Sequence, residues 1–207
     1  MANSNSSSSS FSLEALLRRR RMTRRFQGGP SPLEISALCA VAVRAPSAGF
    51  SQGSHFLVLT DLDLQKFWNI SGAGDWFSST APGVLEATCV ILILGDQDAY
   101  TERYSKPDKA AHGLDQADRW VTPFWFTDAA MAAENLLLLI EEQRWGALLF
   151  GLFGDPRTVL DAFGVPASVS CVGAIAVGYR HPEDQPSGSP TTRSRRPTTE
   201  VIHLGHW

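Results

Sequence analysis

The sequence predicts a single α/β domain, a prediction that rests on chain length, composition and the pattern of apolar segments. The chain has 207 residues, which is enough for one domain with its own hydrophobic core. Hydrophobic residues make up 43% and charged residues 19%, so a mostly disordered chain is excluded. Apolar segments with helical spacing occur together with continuous apolar segments that are typical of buried strands. We expect the domain to cover residues 12–207.

Three features exclude other classes of protein. Residues 1–11 are rich in serine and contain no apolar signal core, so we expect a disordered tail there. A formal net charge of −3 gives no overall attraction to nucleic acid. The apolar run Leu136–Ile140 is followed at once by Glu141-Glu142-Gln143-Arg144 and is too short to cross a bilayer. We expect neither a nucleic-acid partner nor a membrane.

The cysteines and histidines predict no metal site. The three cysteines lie far apart within apolar runs, which indicates buried, reduced thiols in a cytoplasmic protein: Cys39, Cys89 and Cys171. The five histidines do not have ligand spacing, and we expect them to be surface or core residues: His55, His112, His181, His203 and His206.

The first helix is expected to begin at Ser12, with Leu13, Leu16 and Leu17 on one face. The basic stretch 18–25 follows, with four arginines placed on the last turn of this helix. Such a run is either a solvated helix end or an anion site, because the arginine fork suits phosphate oxygens.

A second helix begins at Ser31-Pro32, where serine is the cap and proline takes the first position. Its apolar series consists of Leu33, Ile35, Leu38 and Val41. A turn of small residues over 45–53 follows, which either lets the backbone approach a flat ligand or simply connects two elements. Residues 55–60 then form a strand.

In the middle of the chain we expect a short helix over 63–70, a loop over 71–83 and a fully buried strand over 88–94. The polar segment from Gly95 to Pro123 has no clear period and carries Tyr100, Tyr104 and Trp120. Its length and aromatic residues favour a lid, although the aromatic side chains could simply pack inside the protein.

The longest helix is expected to begin near Asp128 and to be largely buried, since it has little polar face before Glu141. A strand-like segment over 146–153, broken by Gly151, comes next, followed by a helix from Asp155-Pro156 and a last core strand over 171–179. Residues 181–190 are predicted to be an exposed connection, and residues 201–207 an added strand or arm.

Taken together, five segments in this order resemble the nitroreductase family of FMN-dependent oxidoreductases. They are RRMTRRF near the start, APSAGFSQG, DAAMAAENLLLLIEEQRWGALLFGLFGDP, VGAIAVGY and RSRRP before the end. The resemblance covers residues 12–207. It implies an α+β, three-layer fold in which a mixed sheet is flanked by helices, and a homodimer with two FMN sites at the subunit interface.

The resemblance also implies roles for particular residues. Arg20 and Arg21 are expected to hold the phosphate and ribityl end of FMN, and Arg24 the N1/O2 edge of its ring, where a positive charge raises the flavin potential. The remaining expected contacts are Pro46 and Ser47 from the other subunit, the backbone of Gly151 and Leu152 at the N5/O4 edge with Phe150 beside them, and the pair Arg193 and Arg195 on the phosphate.

Two departures from the family pattern concern the substrate and the cofactor. Met22 stands where the family often has serine, so one side-chain hydrogen bond to FMN is lost. Phe50 stands where many members have asparagine and resembles the flavin-destructase branch, which however carries an aspartate at the position of Met22.

The resemblance therefore implies an FMN-dependent NAD(P)H oxidoreductase that passes hydride to a small electron-poor acceptor, such as a nitroaromatic or a quinone. FMN carries the reaction and NADH or NADPH is the donor, so no catalytic side chain is expected. The alternatives are a flavin-binding protein without turnover, a destructase-like enzyme, and a relative without cofactor that binds nucleic acid through its arginines.

Overall fold

The computed structural model describes residues 12–207, which form a four-stranded sheet between two layers of helices. This α+β, three-layer arrangement confirms the expected fold class. The prediction of a disordered tail over residues 1–11 lies outside the described residues.

The sheet has the strand order β1-β2-β4-β3. Its strands are β1 (Ser54–Thr60), β2 (Cys89–Asp96), β3 (Gly146–Phe150) and β4 (Val169–Gly178). Each neighbouring pair is antiparallel, so the mixed sheet that we expected is not formed within residues 12–207. The reason is topological, because β4 lies between β2 and β3 and runs opposite to both. One long edge of β3 therefore has no neighbouring strand in the described chain.

The helices cover both faces of the sheet. They are α1 (Leu13–Arg19), α2 (Pro32–Ala42), α3 (Asp61–Ile70), α4 (Ala73–Thr80), α5 (Gln97–Tyr104), α6 (Phe124–Glu142), α7 (Pro156–Ala162) and α8 (Ser189–Thr192). Side chains of α2 and α6 fill the core on one face of the sheet, and side chains of α3, α4 and α7 fill the core on the other. Residues of β2 contribute to both cores, which explains its continuous apolar sequence.

Helix α2 begins as predicted but buries a different face. The Ser31 hydroxyl accepts from the Glu34 N–H, the Glu34 carboxylate accepts from the Ser31 N–H, and proline takes the first turn. The buried residues are Ile35, Cys39 and Ala42, whereas two members of the expected apolar series are exposed. The prediction relied on large apolar side chains and therefore did not identify the buried face of α2. Cys39 and Ala42 on that face are small, which allows α2 to pack closely against its neighbours.

Three predicted boundaries were wrong. Helix α1 ends at Arg19, so Arg20 and Arg21 lie outside it and not on its last turn. Residues 71–83 are not a loop, because they contain α4, whose Phe77 is buried. Helix α6 begins at Phe124, four residues before the expected start, and Asp128 is a buried residue inside it.

Two of the three aromatic residues of segment 95–123, Tyr100 and Trp120, are core residues, and Tyr104 is partly buried beside them. Tyr100 is fully buried and makes edge-on contacts with Trp120 and Trp125. A Cβ atom on Gly95 would lie 2.2 Å from the Trp125 carbonyl oxygen, so the end of β2 and α6 are in direct backbone contact here. Packing thus explains Tyr100 and Trp120, the second of the two interpretations open from the sequence.

Two of the three cysteines are buried, and all three are free thiols. Burial raises the pKa of Cys39 to about 11. Burial and the nearby Cys39 raise the pKa of Cys89 to about 12. Both thiols therefore stay protonated at neutral pH, which fits a packing role.

The end of the described chain is exposed. Residues 201–207 form no strand with the sheet within residues 12–207, and the side chains of Ile202, Leu204 and Trp207 face solvent. In the part of the chain that the structure describes, no helix is both long enough and apolar enough to cross a membrane.

Candidate functional site

The basic stretch lies along the open edge of β3. The Thr23 N–H donates to the Ala147 carbonyl oxygen (2.8 Å), and the Leu149 N–H points at the Met22 sulfur (3.3 Å). Further along, Phe26 forms an isolated bridge with Arg180. Residues 20–26 therefore follow this edge, and their side chains fall into two sets with different surroundings.

One set of alternate residues is fastened to the protein. Thr23 is fully buried and its hydroxyl accepts from Arg180 (3.1 Å). Arg21 forms an ion pair with Asp184, and Arg25 forms one with Glu183 (2.6 Å). Thr23 and Arg21 hold the segment on the fold, whereas both side chains of the Arg25–Glu183 pair are exposed and add little to this attachment.

The other set borders two cavities beside β3. Arg20 lies 3.6 Å from the Glu134 carboxylate, which lines a cavity of about 340 Å³ together with Leu149, Phe150 and Gly151. Arg24 lines a second cavity of about 450 Å³, which also includes Leu149 and Phe150. The structure thus brings Arg20, Met22, Arg24, Phe150 and Gly151 to one strand edge.

The arginines of this stretch differ in how well a carboxylate neutralises them. Within residues 12–207, close partners at 2.9 Å or less exist for four of them: Arg18 with Glu14, Arg19 with Glu141, Arg21 with Asp184 and Arg25 with Glu183. Arg20 has the looser contact with Glu134. The Arg24 guanidinium has no carboxylate within ion-pair distance in the described chain and donates only to the Ser187 carbonyl oxygen (3.3 Å). The two arginines of this stretch whose charge is least neutralised, Arg20 and Arg24, therefore lie beside the two cavities.

The end of β3 offers a free backbone donor. The contacts of Ala147 and Leu149 with the basic stretch show that these residues turn their peptide groups away from β4. Gly151 is the next residue in that alternation. Its N–H has no acceptor within residues 12–207, and a Cβ atom on it would meet nothing within 4 Å. A flat acceptor of hydrogen bonds can therefore approach this backbone closely.

Aromatic rings form the wall of the 450 Å³ cavity. Trp76 stacks on Phe153 with ring centroids 5.6 Å apart, and Phe77 meets Phe150 edge-on at 5.2 Å. Thr80 adds a hydroxyl to the lining. This cavity suits a flat, apolar molecule with a negative or polar group directed at Arg24.

The turn that contains Pro46 and Ser47 is held elsewhere. Asp128 is buried and accepts from the Ala48 N–H (2.9 Å) and the Tyr100 hydroxyl (2.8 Å). Burial and the adjacent Asp128 raise the pKa of Tyr100, so its hydroxyl remains a donor. Neither cavity beside β3 includes Pro46 or Ser47.

This turn is strained and presents an aromatic side chain to solvent. Phe50 and Gln52 both have positive φ angles, an uncommon conformation for residues with a Cβ atom. The Phe50 side chain is 75% exposed. Strain of this kind persists only where the surrounding structure enforces it, and here Arg103 also donates to the Gly49 carbonyl oxygen (2.9 Å).

No contact in the described chain places Arg193 or Arg195, the late arginine pair, at the β3 edge. Arg193 and Arg195 are exposed, and within residues 12–207 their guanidinium groups form no hydrogen bond or ion pair. Leu152, by contrast, follows Gly151 directly and is partly buried beside the aromatic wall.

Several residues of this site were not predicted from the sequence. Asp184, Trp76, Phe77 and Thr80 lie outside the five segments that carry the family resemblance, and Glu134 lies within the third of them without any feature that marks its role. The one local indication of the aromatic wall is the pair Trp76 and Phe77, which lie in α4. The expected loop over 71–83 gave this pair no defined direction.

Comparisons with known proteins point to one family. The sequence model of the nitroreductase family matches residues 17–179. No curated protein matches the chain. Nitroreductase CinD from Lactococcus lactis, solved in complex with chloramphenicol, has a TM-score of 0.72 at 19% identity, covering 94% of this chain and 100% of that chain.

Two other solved structures have the same fold. A nitroreductase family protein from Streptococcus pneumoniae has a TM-score of 0.71 at 20% identity, covering 93% of this chain and all of its own. A protein from Exiguobacterium sibiricum, solved in complex with FMN, has a TM-score of 0.70 at 17% identity, covering 94% of this chain and 97% of its own.

Proposed function

Because the chain belongs to the nitroreductase family, we propose that it is an FMN-dependent oxidoreductase that uses NADH or NADPH to reduce a small electron-poor acceptor. The observation that carries this proposal is the open edge of β3. An uncompensated Arg24, a loosely paired Arg20 and an unbonded Gly151 N–H lie along that edge, next to a cavity with aromatic walls.

The residues present fit FMN. The cofactor is flat and carries a phosphate, so it needs cations at its edges and backbone donors that can approach its ring. Arg20 would hold the phosphate end, and Arg24 would face the N1/O2 edge. The N–H groups of Gly151 and Leu152 would meet the N5/O4 edge, with Met22 and Phe150 beside the ring. Bound FMN would supply the hydride chemistry, taking hydride from the nicotinamide donor and giving it to the acceptor.

The protein's own contribution is positioning and charge. Arg24 favours the reduced, more negative form of the cofactor because no carboxylate offsets its charge. The rings of Trp76, Phe77 and Phe153 would orient a flat acceptor such as a nitroaromatic or quinone and keep water away from it. No side chain has to move a proton in this scheme.

We propose a different role for Arg21 from the one that the family resemblance implies. Its guanidinium donates to both the Asp184 carboxylate and the Asp184 carbonyl oxygen (2.9 Å for the latter). We therefore assign Arg21 to fastening the basic stretch and leave the phosphate to Arg20, with Arg193 and Arg195 closing on it from the exposed C-terminal segment.

The proposal includes a homodimer. Phe50 is held in a strained, exposed position with Pro46 and Ser47 beside it, as expected for a turn that packs on the cofactor of a second copy. An open groove of about 490 Å³ between α1, α2 and α6, lined by Leu13, Val41 and Leu139, adds apolar surface for such an interface. Three free thiols and the need for a nicotinamide donor are our reasons for proposing a cytoplasmic location.

Light scattering on the FMN-loaded protein is expected to give the mass of two chains. The matched sample is the Phe50→Asp variant, in which a charge at the exposed ring should weaken association and FMN retention together. A monomeric wild-type protein with full FMN occupancy would contradict the shared site.

The test of the function is the absorption spectrum of purified protein, recorded without oxygen before and after NADH and then NADPH. We expect a yellow protein that bleaches with one of the two donors and regains colour when a nitroaromatic or quinone is added. Dithionite is the control, because it bleaches any accessible flavin regardless of donor binding. Bleaching by dithionite alone would leave a flavin-binding protein without this turnover, and failure to take up FMN would refute the proposal.

A further inference from the structure

Asp184 is the residue to which the basic stretch is most extensively tied. Its Oδ1 accepts from the backbone N–H groups of Arg24 (3.0 Å) and Arg25 (2.9 Å), and its Oδ2 accepts from the Arg21 guanidinium. The Asp184 carbonyl oxygen accepts a second bond from Arg21. The Asp184 side chain is only 2% exposed, so these bonds are shielded from water.

The surrounding turn holds the carboxylate in place. The Asp184 N–H donates to the His181 carbonyl oxygen (2.9 Å), and the His181 N–H donates to the Arg25 carbonyl oxygen (3.0 Å). Two segments that are 160 residues apart in sequence are thereby cross-linked on both sides of Arg24. The backbone at Arg24 therefore has a fixed direction, and its side chain leaves it on the cavity side.

The charges fit this arrangement. Arg21 neutralises Asp184, so the carboxylate can bind two backbone N–H groups without offsetting Arg24. The Arg24 guanidinium keeps its full charge towards the cavity. Glu141 plays a similar anchoring part for Arg19 and Arg180, but it has no contact with Arg24.

We propose that Asp184 is a positioning residue that sets the direction of the Arg24 guanidinium at the cofactor edge and through it the potential of the bound flavin. The second half of this inference rests on the proposed function. The first half concerns only the chain's own contacts and can be tested without cofactor.

The direction in which Asp184→Ala shifts the flavin potential distinguishes a positioning role of Asp184 from a direct effect of its negative charge. Deleting a carboxylate near a flavin raises its potential when only charge matters, because one negative charge disappears and Arg21 is released. Loss of the fixed Arg24 position lowers the potential. We expect Asp184→Ala to lower it, towards the value of Arg24→Ala, and we expect no further drop in the double variant because both changes remove the same interaction.

The cofactor-free test is amide hydrogen exchange of the full-length protein. In Asp184→Ala, exchange at the Arg24 and Arg25 amides should accelerate by roughly ten- to a hundredfold, since each loses a bond to a charged acceptor. The Thr23 amide should remain protected, because its acceptor is the Ala147 carbonyl oxygen. Asp184→Asn keeps an oxygen at the Oδ1 position, so exchange at the Arg24 and Arg25 amides should be intermediate between wild type and Asp184→Ala. This variant provides the test if Asp184→Ala does not fold.

Two control variants complete the design. Glu141→Gln breaks a buried ion pair of similar burial without touching Arg24, and Glu183→Gln removes the neighbouring exposed carboxylate. Both should leave the Arg24 amide protected and the potential unchanged.

Unchanged exchange at Arg24 in Asp184→Ala would overturn the inference. So would a higher potential, an equal potential, or an equal drop in Glu141→Gln, which would mark a general loss of stability. If wild-type protein takes up no FMN, the proposed function fails, and the exchange result still decides whether Asp184 fixes Arg24.

Discussion

Replacing Arg24 with alanine is expected to lower the midpoint potential of bound FMN by about 30–60 mV while FMN stays bound. The guanidinium lines the cavity beside β3 and has no carboxylate partner in the described chain, so its charge acts fully on a group placed there. A bond to a charged group contributes roughly 1.5–3 kcal/mol. For a two-electron couple about 1.4 kcal/mol corresponds to 30 mV, which gives the expected range.

The potential is measured against a reference dye by anaerobic titration. Arg24→Lys keeps the charge but not the planar fork and should recover most of the shift. Arg18→Ala is the matched control, since Arg18 belongs to the same basic stretch but has a 78% exposed side chain paired with Glu14. An Arg24→Ala protein that holds FMN at the wild-type potential would remove Arg24 from the cofactor edge.

Replacing Arg20 with alanine is expected to raise the FMN dissociation constant by about 10- to 150-fold. Its guanidinium is half-buried beside the 340 Å³ cavity, and its nearest carboxylate, Glu134, lies 3.6 Å away and is itself 46% exposed. A phosphate can therefore form shorter, charge-assisted bonds than Glu134 does. The loss of those bonds should appear as affinity, because the phosphate is remote from the reacting ring.

Affinity is measured by quenching of free FMN fluorescence on titration with apoprotein. Arg25→Ala is the control, because Arg25 lies in the same basic stretch but forms an exposed ion pair with Glu183. Arg195→Ala tests the late pair, which is exposed and unpaired in the described chain. If FMN binds equally well to Arg20→Ala and to Arg195→Ala, the phosphate lies elsewhere.

Local pattern predicted most of the fold. Ser31-Pro32 marked the start of α2, Asp155-Pro156 marked that of α7, and the continuous apolar run marked β2, because caps and periodicity depend on neighbouring residues. Helix α4 was missed because Gly72, Gly74 and three serines or threonines weaken its pattern, whereas burial of Phe77 against the sheet stabilises it. The start of α6 was placed too late because Asp128 looks like a cap and is in fact a buried acceptor for Tyr100 and the Ala48 N–H.

The sequence predicted the residue types of the candidate site. It did not predict which arginines pair with carboxylates and which border the cavities. The sequence showed a run of arginines, but the separation of Arg20 and Arg24 from Arg21 and Arg25 depends on the ion-pair partners Asp184 and Glu183. Those partners are far away in sequence and carry no motif of their own. The direction of a side chain depends on such distant contacts, which a linear pattern does not contain.

The ion pair between Arg21 and Asp184 also sets an order of events during biosynthesis, because 163 positions separate its partners. The ribosome therefore releases Arg21 well before its buried carboxylate partner. A nascent chain that stops just short of Asp184 already contains β1, β2, β3 and β4 but lacks the acceptor for the Arg24 N–H. The β3 edge that we propose for the cofactor is therefore completed only after Asp184 has been released, and a product truncated before Asp184 lacks the acceptor for its basic segment.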